Sequence, residues 1–128
     1  MKRKFKVYAS SNSRRIRCSD DNEYARFVLV GKYPEDLNDV TPEQNFMNDL
    51  KYWLGFYLKD NGVDTVKVQI LNHYDDGDRY TIECRLSANG QSVDIYMWYQ
   101  DTGDWPWKSW NEIYDGTDEA IQIASDLS

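Results

Sequence analysis

The chain is 128 residues long, 41% hydrophobic and 15% aromatic, with 22 acidic against 15 basic side chains for a net charge of −7, one histidine and two cysteines. That size and composition suit one domain with its own core, which excludes a disordered class and removes the need for disulfides or a structural metal. With a single histidine a zinc site would need an unusual ligand set, so neither metal nor cofactor is expected.

Met1-Lys2-Arg3-Lys4 begins like the n-region of an export signal, but no apolar h-region follows and no run approaches the length of a membrane span. The expected location is therefore the cytoplasm, with Cys18 and Cys84 as free thiols. Within a single domain covering 1–128, residues 1–17 form a basic N-terminal strand or arm: Lys2, Arg3, Lys4, Lys6, Arg14, Arg15 and Arg17 are there and no acid is. The remaining 111 positions hold all 22 acids against 8 bases, a charge of −14. Such a body is repelled by nucleic acid and anionic membrane and attracted to basic protein surfaces.

Lys4 to Ala9 alternates and reads as a strand. Arg14 to Cys18 allows a short second one, Ser19-Asp20-Asp21-Asn22 is a turn, and Tyr24 to Val30 is a more buried strand closed by Gly31 and Pro34. Thr41-Pro42-Glu43-Gln44 supplies an N-cap, a proline at the first helical position and a glutamine completing a capping box. Phe46, Leu50, Trp53, Leu54, Tyr57 and Leu58 then make one apolar stripe, with Tyr52 and Phe56 off its edge, until Asn61-Gly62 stops the helix.

Three strands follow as an antiparallel meander. Asn89-Gly90 is a two-residue hairpin turn that pairs Leu86 with Val93, Cys84 with Ile95, Ile82 with Met97 and Tyr80 with Tyr99. A three-residue loop Asp75-Asp76-Gly77 would pair Ile70 with Ile82, Val68 with Cys84 and Val66 with Leu86. These residues face the long helix, and Lys67, Gln69, Thr81, Glu83, Arg85, Asp94, Tyr96 and Trp98 face away, with Arg85 opposite Asp94. Thr117-Asp118-Glu119-Ala120 opens a short final helix with the stripe Ala120, Ile121, Ala124 and Leu127. The expected fold is α+β: an antiparallel sheet of about five strands in the order ββαβββα, one long helix on one face and a short C-terminal helix.

The stretch MWYQDTGDWPWKSW, residues 97–110, holds four of the five tryptophans. Trp98 on the far face needs a cover or a ligand, and the nearest cover is Trp105 to Trp110. The same residues offer a protein interface of aromatic anchors with an acidic rim, for which the candidate partner-binding residues are Tyr96, Trp98, Asp101, Asp104, Trp105, Trp107, Trp110, Glu112 and Asp115. Base stacking normally requires a positive groove, which these acids deny. A carbohydrate-binding module or small carbohydrate-active enzyme would use a coplanar exposed pair of these tryptophans, and a subunit of a larger assembly, or a homodimer, would use the patch to associate.

No catalytic residue is assigned. His73, at the expected hairpin tip, has no adjacent serine or cysteine nucleophile, and carboxylate pairs such as Glu83 with Asp94 or Asp101 arise by chance in so acidic a chain. No P-loop, dinucleotide fingerprint or EF-hand is present. The features favour a non-enzymatic binding protein that engages a basic, nucleic-acid-binding protein surface. In general style, and through no motif, the chain resembles accessory proteins of phages and mobile elements, including anti-restriction and anti-CRISPR inhibitors.

Overall fold

The computed structural model describes residues 4–8, 23–75, 80–100, 108–109 and 113–128. Strand β1 is Lys4–Tyr8, β2 Arg26–Leu29, β3 Thr65–Asp75, β4 Tyr80–Ala88, β5 Gln91–Gln100 and β6 the two residues Lys108–Ser109. A 3-10 helix, Glu35–Asp39, precedes one helical rod made of α1 Glu43–Leu50, a π turn Lys51–Gly55 and α2 Phe56–Asp60, and the last helix is α3 Ile113–Leu127. The strands form one sheet in the order β1-β5-β4-β3-β2, with β6 against the end of β5.

The fold is α+β, but the sheet is mixed rather than antiparallel. β1 runs parallel to β5 and β2 parallel to β3. For β2 and β3 the reason is the rod between them. Its 18 residues rise roughly 27 Å and carry the chain back to the end where β2 began, so the next strand runs the same way. The β3-β4-β5 meander remains antiparallel.

The rod buries Phe46, Leu50, Leu54 and Leu58 completely. A strict spacing of four drifts in a regular α-helix, and would carry Leu58 roughly 120° around from Phe46. The wider π turn between them takes back part of that rotation. It also brings Gly55 against β2: its carbonyl accepts the Ala25 N–H at 2.9 Å, and a Cβ there would lie 3.2 Å and 3.3 Å from Tyr24 side-chain atoms.

The start of the rod corrects the expected capping box. α1 begins at Glu43 after Pro42, with no side-chain cap. Gln44 instead donates to Asn48 at 3.1 Å, and Thr41 is buried with its carbonyl accepting the Tyr33 hydroxyl. α3 begins four residues before the expected N-cap, and its buried stripe is Ala120, Ile123, Ala124 and Leu127. Ile121, assigned to that stripe from its spacing, is 48% exposed.

The β4–β5 pairing follows the expected register, including Tyr80 with Tyr99 and Cys84 with Ile95. Asn89 and Gly90 both take positive φ, 53° and 76°, as a type I′ turn demands. The β3–β4 register differs from the expected one. Val68 lies opposite Leu86 and Ile70 opposite Cys84, then the register shifts, and His73 lies opposite Ile82 and Asp75 opposite Tyr80. β3 runs to Asp75, which pairs with Tyr80 at the start of β4, so Asp75 is not part of a three-residue loop, and one extra residue, Leu71, sits at the shift. Because faces alternate, that bulge moves His73 and Asp75 to the helix side of the sheet.

Candidate functional site

The far face of the sheet is not uniformly open. Lys67, Gln69 and Val28 on β3 and β2 are exposed, whereas Thr81, Asp94 and Trp98 on β4 and β5 are buried. Arg85 grips Asp94 with two bonds, Nε to Oδ1 at 2.8 Å and a terminal nitrogen to Oδ2 at 3.3 Å. Pairing is required there, because Asp94 is only 4% exposed and a lone buried carboxylate is expensive. The same contact holds the guanidinium pKa above its ordinary value.

Of the nine candidate partner-binding residues, the structure describes the side chains of two. Trp98 is 8% exposed and Tyr96 is partly exposed. Trp98 therefore offers little ring area to a sugar or a partner. Asp101, Asp104, Trp105, Trp107, Trp110 and Glu112 lie outside the described residues, and of Asp115 only the backbone, within α3, is described. The ring pairs between described residues sit elsewhere, in Tyr24–Tyr52, Tyr33–Phe46, Phe56–Tyr57 and His73–Tyr80.

A second polar constellation, on the helix side, was not legible as a site. Tyr99, opposite Tyr80 on β5, donates its hydroxyl to Asp49 of α1 at 2.8 Å, with both residues buried. Tyr33 donates to the Thr41 carbonyl nearby. Burial, and secondarily the Asp49 charge, pushes the Tyr99 phenol well above its usual range. Burial, then Glu43 and Asp49, raises that of Tyr33. Both remain neutral donors at physiological pH. A signal for this pair existed: Asp49 interrupts the apolar stripe between Phe46 and Leu50, and the β4–β5 register already placed Tyr99 on the face the stripe covers.

At the rim of this network sits the only histidine. His73, expected in a loop, lies within β3, where its Nδ1 is 2.7 Å from the Tyr80 hydroxyl and its Nε2 is 3.7 Å from Asp36 of the 3-10 helix. Its ring stacks on that of Tyr80 at 5.9 Å. Desolvation, followed by Asp36 and Asp75, raises the Tyr80 pKa, so the hydroxyl that meets the imidazole is a neutral phenol and not a phenolate. The buried Cys84 thiol is pushed up likewise, first by desolvation, which removes it as a nucleophile at neutral pH. Among the described residues no group of three or more His, Cys, Asp or Glu side chains is arranged to hold a metal ion.

The surface around this rim is acidic. Glu35, Asp36, Asp39 and Glu43 are all exposed, and no basic residue occurs between Lys32 and Lys51. The opposite end of the sheet carries an open groove of about 440 Å³ whose lining includes Thr65, Lys67, Ser87, Ala88, Asn89 and Gln91.

Neither a family model, nor a curated protein, nor a solved structure is similar enough to the chain to assign it a family. Among the described residues no helix is long and apolar enough to cross a membrane.

Proposed function

We propose that the protein is a non-enzymatic binding module whose acidic surface engages a basic protein surface, as an inhibitor that sets carboxylates where a nucleic acid would set phosphates. What supports this reading is the row of exposed carboxylates Glu35, Asp36, Asp39 and Glu43 on one stretch free of bases. It stands out on a body that carries −14 over residues 18–128. Like charges held close on one short segment are unfavourable in isolation, and a cationic partner relieves the repulsion and speeds encounter. Inhibition of the anti-restriction or anti-CRISPR kind is one form this binding could take.

The test is association with a panel of purified basic nucleic-acid-binding proteins, measured by biolayer interferometry over a salt series. A genuine partner should bind less tightly as salt rises. It should also lose about tenfold or more in affinity to the triple variant Glu35→Lys, Asp39→Lys, Glu43→Lys, in which each reversed charge acts at interface range. Binding that ignores the reversal, or no binding across the panel, would sink the reading.

A further inference from the structure

We propose that His73 is a pH-responsive tie that fastens the 3-10 helix Glu35–Asp39 to the β3–β4 end of the sheet more firmly when the imidazole is protonated. The contact is built from three elements. Tyr80 of β4 faces Nδ1 at 2.7 Å and Asp36 of the 3-10 helix faces Nε2 at 3.7 Å, with Asp75 two residues along β3 on the same side. Glu35 and Asp39 flank Asp36 on its own element and are exposed.

A neutral imidazole carries one N–H. The Asp36 carboxylate favours the tautomer with that N–H on Nε2, facing it across a gap longer than a hydrogen bond, and in that tautomer the phenol donates to Nδ1. On gaining a proton Nδ1 becomes a donor, the phenol oxygen accepts at the same separation, and Nε2 faces the carboxylate as a cation. The exchange reverses one bond and turns the weak contact into an ion pair. Among the described residues, every charged neighbour named above is an acid.

The segment under the tie is otherwise lightly held. Beyond the bonds within the 3-10 helix itself, the Leu37 N–H donates to the Pro34 carbonyl at 3.1 Å, and the Val40 and Thr41 N–H groups donate to the Leu37 carbonyl at 2.9 Å and 2.8 Å. Leu37 alone in the segment is buried. A modest added attraction therefore changes how often it opens.

The test uses the intact chain and two signals in one NMR titration between pH 5 and 8, the range in which histidines change charge. As there is one histidine, its ring Cε1 proton reports protonation without assignment ambiguity. Amide exchange at Val40 and Thr41, corrected for the intrinsic pH dependence, reports opening of the segment. Protection at both amides should rise about 2- to 5-fold along the imidazole's own titration curve, the scale of a partly exposed ion pair. It should stay flat in Asp36→Asn, a change at an exposed position that leaves the fold and the imidazole in place. Flat protection in the unaltered protein, or an Asp36→Asn variant that follows it, would overturn the proposal.

Discussion

Raising the pH should unfold the protein through three buried groups that keep their protons while folded. Burial is the first cause in each case, with Asp94 next for Cys84, Asp49 for Tyr99 and Glu43 for Tyr33. All three folded values lie above the unfolded ones, so their stabilisation is complete below the unfolded values and is lost as pH rises past them. Each group then takes away about 1.4 kcal/mol per pH unit. With unfolded values of roughly 8.5 for a thiol and 10 for a phenol, Cys84 removes about 3 kcal/mol by pH 11 and each phenol about 1. Together that rivals the roughly 5–15 kcal/mol that holds a typical domain folded. Urea denaturation midpoints between pH 8 and 11 measure the loss, and Cys84→Val isolates its largest part by removing the thiol at similar volume. Absorbance at 295 nm should show two of the ten tyrosines ionising only as the protein unfolds. If Cys84→Val lost as much stability as the parent between pH 9 and 10, where the phenols contribute little, the reasoning would be wrong.

Two further predictions concern the sheet. Arg85→Ala should lower the midpoint of denaturant unfolding, because it strands the Asp94 carboxylate, and the double variant with Asp94→Asn should recover a good part of that loss. A double variant as unstable as Arg85→Ala alone would show that the pair does not act as a unit. At the β4–β5 turn, Gly90→Ala should cost about 1 kcal/mol through its positive φ. Asn89→Ala should cost at least as much, since it adds the loss of the Nδ2 bond to the Leu127 carbonyl at 2.9 Å. Equal stability of either variant and the parent would count against the turn geometry.

Much of the meander was legible, because Asn89-Gly90 fixes its own loop length and the apolar residues on either side then permit a single register. The long helix was legible from its stripe, and its first residue was not: Thr41 satisfies Tyr33 through its carbonyl instead of capping, a tertiary choice that local patterning does not contain. The parallel pairings escaped for a related reason. Whether β2 joins β3 in the same or the opposite sense depends on how many residues the rod uses to return, and alternation within a strand says nothing about that. His73 was misplaced because a bulge at Leu71 leaves no compositional mark; a leucine among Ile70, Leu71 and Asn72 looks like any other strand position. The candidate site was legible only at Arg85 and Asp94, whose opposition follows from the hairpin, and at the acidic excess, which is arithmetic.

The parallel seam between β1 and β5 joins Phe5 to Ile95 and Val7 to Met97, partners some ninety positions apart along the chain. At about 5–20 residues per second of synthesis, β1 waits roughly 5–20 s for its neighbour to leave the ribosome. The meander and the β2–β3 crossover need no such delay and can assemble ahead of it. The last step of folding would then be the docking of a short lysine-bearing strand onto a surface already formed. Because a long-range seam closes slowly and late, it is the place where another chain's β1 could arrive first, so exchange between nascent copies should increase with expression level.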